Sequence, residues 1–435
     1  MGRFAHFFVM RCYRLAIGVS ASLGNAKAQG WLDMRIGNIE RVRLATKSLL
    51  PNEKWVWFHC ASVGEFEQAQ PVMKAMRQQD NSLRFMLTFY SPSGWGSFAK
   101  WQPDWWRQRD VAAALPLDTP AAVRRFLNAL TPEKALVPAV QLLALSKYEV
   151  WPELIRQVKP HARIALFAGH VIAGRWPFRT FGGFYRGAWR KLDKVLVQSD
   201  PSVVELGRWN VEAKIGGDPR FDRVLEAAEA SRIQPDDECV RWLSNRTCLV
   251  VGSAWEAESK IAQSAWMPGH ACIVVPHEWD QNWAKQQQRA WQERGAKAII
   301  WSELRSKNAS ATLPDADVIL LDAMGQLMHI YGVGQLALVG GGFGKGVHNT
   351  LEPAAHGLPI WVGPKVGRFA EVQGLSDADA LTVASDERHC INLLREAWSD
   401  VDRLKKRGLA ARNYATENAG AGAKIAKHLM GLLAR

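Results

Sequence analysis

The chain has 435 residues, 48% of them apolar and 22% charged, which excludes a disordered or fibrous protein and leaves room for two or three domains with cores of their own. A formal net charge of +13 and a pI near 9.6 favour an anionic partner: nucleic acid, an anionic membrane face or a phosphorylated substrate. Six cysteines with no CxxC pair and no zinc-spaced Cys/His set argue for a reducing compartment and no structural metal.

Residues 4–23 are mostly apolar, but Arg11 and Arg14 interrupt them. A spanning helix needs about 20 apolar residues without a central charge. A cleavable signal needs an unbroken apolar centre and a small-residue cleavage site. Neither fits. Residues 1–50 carry eight Lys/Arg against two Asp/Glu, and an apolar, basic, helix-permissive start predicts an interfacial anchor on an anionic membrane surface. The plainer alternative is a core helix with two snorkelling arginines.

From there the chain alternates short apolar runs with helical patterns, the signature of a parallel α/β architecture. The first half offers strands at 56–60, 85–90, 111–117, within 135–146, at 163–169 and at 194–199. The second offers them at 248–253, 271–276, 297–302, 317–322, 336–341 and 358–363. Spacings of roughly 20 to 30 residues are those of βα units in doubly wound sheets. The Gly-, Pro- and charge-rich stretch 216–238 reads as a linker with the boundary near 218. The expected organisation is a membrane-associated segment (1–50), a first Rossmann-like domain (51–218), a second (219–401) and a final helix (402–435) that returns to the first. Ligands of such folds sit where strands end at their carboxyl edge, here in a cleft that both domains face.

Several candidates stand at such edges. In WFHCASVGEFEQAQP (57–71) a strand ends near Cys60, a turn holds Ser62 and Gly64, and a helix begins at Glu65. Ser62-x-x-Glu65 fits a capping box, and Glu65 alternatively serves as a general base. Lys147 and Glu149 follow another strand, before Trp151-Pro152 turns into a helix; they read as a second acid with its neighbour, or as an ion pair at a helix start. Residues 174–194, including Arg175, interleave six Lys/Arg with six aromatics. This suits an anionic lipid or a stacked single strand, or else it is a helix with a solvated basic face.

In the second half Ser253 follows a strand and reads as an N-cap or a phosphate contact, and His277 lies just past the next strand. Then GGGFGKGVHNTLEPAAHG (340–357) places five glycines in seven residues before a helix. Gly341, Gly342 and Lys345 suit a phosphate cradle, Asn349 a cap or phosphate contact, and Glu352 a ribose hydroxyl pair. Walker A fails because Gly346 follows Lys345, and G-x-G-x-x-G finds no register. The run therefore suits a mononucleotide carrying a sugar.

These segments, with KAQGWLDMRIG (27–37), FYSPSGW (89–95), LPLDT (115–119), KYEVWP (147–152), GDPRFDRV (217–224), IVVPHE (273–278) and VGGGFGKGVHNTLEPAAHGLPIWVGP (339–364), resemble the Kdo transferases over nearly the whole chain, most closely those of the Bacteroidetes branch. The resemblance implies an inverting GT-B glycosyltransferase moving 3-deoxy-D-manno-octulosonic acid from CMP-Kdo to a lipid A precursor. It implies no cofactor, no metal and no nucleic-acid partner, and a place on the cytoplasmic face of the inner membrane held by the N-terminal anchor. By the same resemblance Glu65 is the general base, Ser62 and Gly64 its loop, and Glu149 the acid of a second motif. Apart from the resemblance, Lys147 and Arg175 are candidate substrate-binding residues. Ser253, His277, Gly341, Gly342, Lys345, Asn349 and Glu352 fall on the CMP side. Two readings compete with this one. One is another nucleotide-sugar enzyme of the same architecture, such as an epimerase. The other is a basic nucleic-acid binder, against which stands the absence of any recognised module.

Overall fold

Runs such as WVWFHC and RFMLTF fold as strands buried on both faces, which is why they read as unbroken apolar stretches rather than as alternation. The computed structural model describes residues 2–174, 177–178, 182–231, 238–303, 315–367 and 369–434. In the first half β1 (Trp55–Cys60), β2 (Arg84–Phe89), β3 (Val111–Ala114), β4 (Val140–Ser146), β5 (Arg163–Gly169), β6 (Lys194–Val197) and β7 (Lys214–Ile215) form one sheet in the order β3-β2-β1-β4-β5-β6-β7. In the second, β8 (Cys248–Ala254), β9 (Ala271–Pro276), β10 (Ala298–Ile300), β11 (Val318–Leu320), β12 (Leu336–Val339), β13 (Ile360–Val362) and β14 (Leu381–Val383) form another in the order β10-β11-β9-β8-β12-β13-β14. All pairings are parallel. The doubly wound α/β class is the one the sequence predicts. The pattern misses β7 and β14, sheet-edge strands of two and three residues that are half-exposed and too short to show a period.

Strand order reverses between β1 and β4 and between β8 and β12, so each sheet has a topological switch point where ligands of such folds bind. The chain divides into two compact units, 1–223 with 419–435 and 224–418. The first unit is completed by the chain's end. Ile425, Ala426 and Leu429 of the helix Ala421–Leu433 are fully buried in the same core as Val72, Met73 and Met76 of the helix Val63–Gln79. Gly422 lies so close to Pro71 that a Cβ there would meet the proline ring at 2.8 Å. The return to the first unit comes at Ala419, not at 402; the preceding helix, Val401–Glu417, belongs to the second unit.

The expected N-terminal membrane anchor is overturned. Among the described residues no helix is long and apolar enough to cross a membrane. The 21-residue helix Gly2–Ser22 docks instead on the first unit. His6 is buried, its Nε2 2.7 Å from Asp118 Oδ2 and its Nδ1 2.8 Å from the Tyr185 hydroxyl. Arg3 pairs with Glu153 at 3.3 Å, and Tyr13 packs on Trp31 and Tyr90. Arg3 and His6 fasten it, not the two arginines that interrupt its apolar run.

The described part of the basic, aromatic stretch also turns inward. Phe178 and Trp189 enter the core, and Arg186 is buried with its guanidinium 4.0 Å from the Trp209 ring centre. Arg175 lies outside the described residues.

Candidate functional site

At the switch point of the first sheet, β1 ends at Cys60 and the next helix starts at Val63 with Ser62 as its N-cap. The capping box is only half formed. The Ser62 side chain makes no cap hydrogen bond, while Glu65 reaches back and accepts the N–H of Ala61. Glu65 is 8% exposed. Burial, and next the negative charge of Glu149, push its carboxyl up to about 8. The N–H groups of Ala61 and Ser62 and the Lys147 ammonium oppose them. The helix N-terminus favours the carboxylate by at most about 2 kcal/mol, and here desolvation with a like charge outweighs it.

Glu149 arrives from the neighbouring strand. β4 ends at Ser146; Lys147 takes a left-handed φ of 57°, and the Glu149 N–H closes the turn on the Ser146 carbonyl. The Glu149 Oε2 accepts the Trp151 Nε1–H at 2.7 Å and lies 3.3 Å from His59 Nε2. His59 is fully buried, with Nδ1 3.0 Å from both the carbonyl and hydroxyl oxygens of Thr88. Two acids from two strands thus converge, one held by backbone donors and the other by an indole and an imidazole. Sequence reasoning missed His59 and Trp151 as partners, because a histidine inside an apolar run reads as core and a tryptophan before a proline reads as a turn.

In the second unit the switch-point loops of β8 and β12 form a separate cluster with the end of β9. Ser253 is not the N-cap it was expected to be. It lies inside β8 with a left-handed φ of 51°, and the next helix, Glu256–Ala265, is capped at Trp255. Glu258, fully buried and missed by the sequence reading, accepts the N–H groups of Trp255 at 3.1 Å and Gly341 at 2.8 Å, tying this helix to the glycine run.

Much of that run is consumed by its own packing. A Cβ on Gly340 would lie 2.0 Å from the Ser253 carbonyl oxygen, one on Gly341 2.2 Å from that of Gly346, and one on Gly342 2.5 Å from the Gly363 nitrogen. The N–H groups of Gly340, Gly344, Gly346 and His348 bond within the loop and to β8. The glycines therefore first permit a tight strand-to-loop fold and only second a ligand.

What this loop presents is a stack. Trp255 and His277 lie 4.5 Å apart and nearly parallel, as do His277 and His348. The Trp255 Nε1–H donates to His348 Nε2 at 3.0 Å, and Lys345 Nζ sits 4.4 Å from the Trp255 ring centre. Burial, then the neighbouring His277, lower the pKa of His348. Trp255 is a further residue that the sequence does not place here, and His348 stands beside the glycine run without an assigned role. Asn349 donates to Glu352 at 3.0 Å and accepts the Leu351 N–H, so that pair shapes the start of the short helix Leu351–Ala355.

Residues 33–223 match the family described as 3-deoxy-D-manno-octulosonic-acid transferase, or Kdotransferase. The 3-deoxy-D-manno-octulosonic acid transferase of Bordetella pertussis is 26% identical over 398 residues, 87% of this chain and 87% of its own. The chain is thus similar to the Kdo transferases over most of its length. The matched span holds both acids, Glu65 and Glu149, with Ser62, Gly64 and Lys147. Two solved structures share the architecture. A glycosyltransferase from Rickettsia africae superposes with a TM-score of 0.53 at 10% identity, over 88% of this chain and 98% of the other. A UDP-N-acetylglucosamine 2-epimerase does so with 0.52 at 10%, over 86% and 94%. The chain therefore has the two-domain GT-B fold, which transferases and epimerases alike adopt; chemistry has to be argued from the sites.

Proposed function

We propose that the chain transfers Kdo from CMP-Kdo to a lipid A precursor in one inverting displacement, with Glu65 as general base and without a divalent metal. The observation that carries the reading is the buried Glu65 beside Glu149, inside the span that matches the Kdo transferase family. A base whose proton leaves near neutrality both exists as carboxylate and binds a proton strongly enough to matter.

Glu65 takes the proton of the acceptor hydroxyl as its oxygen attacks the anomeric carbon. The bond from that carbon to the phosphate oxygen breaks, configuration inverts, and CMP leaves with the electron pair. The second unit supplies the donor side. Lys345 brings a full positive charge to the leaving phosphate, the stacked Trp255, His277 and His348 give it a polarizable, hydrogen-bonding wall, and Asn349 with Glu352 offers polar groups to the nucleoside.

The test is incubation of purified protein with CMP-Kdo and a tetra-acylated lipid A precursor, with and without EDTA, read by mass spectrometry. A Kdo mass increment that survives EDTA is expected. Glu65→Gln should lower turnover at least about a hundredfold while CMP still binds. Full activity in that variant removes Glu65 from the mechanism. Preference for UDP over CMP, with no Kdo adduct, moves the chain to another nucleotide-sugar reaction on this fold.

A further inference from the structure

The docked N-terminal helix lies against the loops that leave β2, β3, β4 and β5, on the carboxyl edge where Glu65 and Glu149 stand. It walls two cavities there. On one flank His6 and Met10 close an apolar cavity of about 460 Å³ with Trp151, Phe178 and Trp189, and Glu149 is in its lining. On the other, Arg11 and Arg14 wall a cavity of about 780 Å³ with Arg35 and Arg125, and no Asp or Glu is among its described lining residues. Both volumes are in the range of organic ligand sites. An aromatic row joins them: Trp151 and Tyr90 at 4.8 Å, Tyr90 and Tyr13 at 6.2 Å, Tyr13 and Trp31 at 6.0 Å.

The arginine cavity is electrostatically unfinished. Arg35 stacks 3.4 Å from the Trp31 ring centre and donates to the carbonyls of Trp31, Tyr90 and Leu115, while its Nε is buried and among the described residues has no hydrogen-bond partner. Burial is the main cause that lowers its pKa to about 10, and the charge of Arg14 adds to it. Arg11, Arg14 and Arg125 form no ion pair among the described residues. Four guanidinium groups around one space, with no carboxylate, suit an anion whose oxygens match the planar fork, which is a phosphate. His6 and Arg14 are eight residues apart, about 12 Å along the helix, so a single amphiphile reaches from one cavity to the other.

We propose that the helix Gly2–Ser22 is a wall of the acceptor site: the arginine cavity takes a phosphate of the acceptor, and the apolar cavity beside Glu149 takes one of its aliphatic chains. This rests on the reading of the chain as a transferase with a lipid acceptor. It assigns selectivity for a phosphorylated, acylated sugar to a segment whose composition suggested an anchor.

The experiment compares wild type, Arg14→Gln/Arg125→Gln and Met10→Trp on three acceptors: the phosphorylated tetra-acyl precursor, the same molecule dephosphorylated, and its deacylated form. The double variant should raise KM for the phosphorylated acceptor about tenfold or more, with kcat and the KM for CMP-Kdo within about twofold of wild type. On the dephosphorylated acceptor the two enzymes should coincide. Met10→Trp, which fills the apolar cavity, should raise KM for acylated acceptors and leave the deacylated one unchanged. Unchanged KM values, or equal losses on all three acceptors, overturn the proposal; thermal midpoints equal to wild type establish that the variants are folded. Calorimetric binding of the phosphorylated acceptor without donor reads this inference alone. Tight, arginine-dependent binding with no transfer by wild type would sink the transferase reading and keep the site, whereas transfer with arginine-independent binding would do the reverse.

Discussion

The side chain whose environment decides most is Glu65. Left to its position in the first turn of a helix, its carboxyl would sit low, because two backbone N–H groups and Lys147 favour the charged form. Burial and Glu149 reverse that, and the reversal fixes the sign of a pH effect. Transfer should rise with pH as Glu65 loses its proton and level off above about 8. Glu149→Gln keeps the shape of the side chain and removes the like charge. The Glu65 carboxylate then becomes easier to form, so the acidic limb should move to lower pH, even as kcat falls from the disturbed hydrogen bonds to Trp151 and His59. A pH–rate profile of kcat/KM for both proteins measures this, and an unmoved limb would mean that Glu149 does not face Glu65 electrostatically. At this scale the sequence showed which acids stood at strand ends. It could not show which cause wins at each of them, because desolvation and partners 84 residues apart in the chain leave no local pattern. Glu258 was illegible for the same reason: its second partner, Gly341, lies on a different strand's loop.

Secondary-structure elements with a clear period were legible, and those whose role depends on tertiary partners were not. Most buried strands match the expected runs within a residue or two at each end, but β4 was expected only somewhere within 135–146 and β3 ends three residues early, while the edge strands β7 and β14 show no pattern at all. The N-terminal helix was read as a helix and assigned the wrong surroundings, since an amphipathic basic helix looks the same whether it faces lipid or the edge of a sheet. The glycine run was read as a cradle, and its packing separates glycines that composition treats alike. Gly341 has a φ of +88° and would place a Cβ 2.2 Å from a carbonyl oxygen. For Gly344 the nearest such contact is an ordinary 3.9 Å, and its φ is not positive. Gly341→Ala should therefore cost about 2 kcal/mol or more of stability and loosen the loop that carries Lys345 and His348, weakening CMP binding. Gly344→Ala should change the thermal midpoint little and leave CMP affinity near wild type. Chemical denaturation with CMP titration of both variants checks the contrast; equal behaviour would show that the backbone adjusts and that the crowding does not matter.

Across the whole molecule the chain passes from the first unit to the second near Val224 and returns at Ala419, so the two units are not equivalent in connectivity. The first unit is discontinuous. Its core needs Ile425, Ala426 and Leu429 from the last helix, and removing that helix would strip cover from Val72, Met73 and Met76, at a cost of several kcal/mol by the usual magnitude of about 2–5 for each large buried side chain lost. The second unit is one continuous segment with its own seven-stranded sheet and apolar clusters on both faces, from Leu249 and Ile261 on one side to Ile273 and Tyr331 on the other. Among the described residues its core clusters draw nothing from the first unit, and every group assigned to CMP lies within it: Ser253, Trp255, His277, Gly341, Gly342, Lys345, His348, Asn349 and Glu352. Residues 224–418 expressed alone should therefore melt in one cooperative transition and bind CMP within about tenfold of the full chain, whereas residues 1–418 should lose the cooperative melting of the first unit while still binding CMP. Differential scanning calorimetry with CMP titration reads both. If the isolated segment folded cooperatively and left CMP unbound, the donor site would need groups from elsewhere in the chain, and the assignment of Lys345 and the imidazole stack to the leaving phosphate would fail with it.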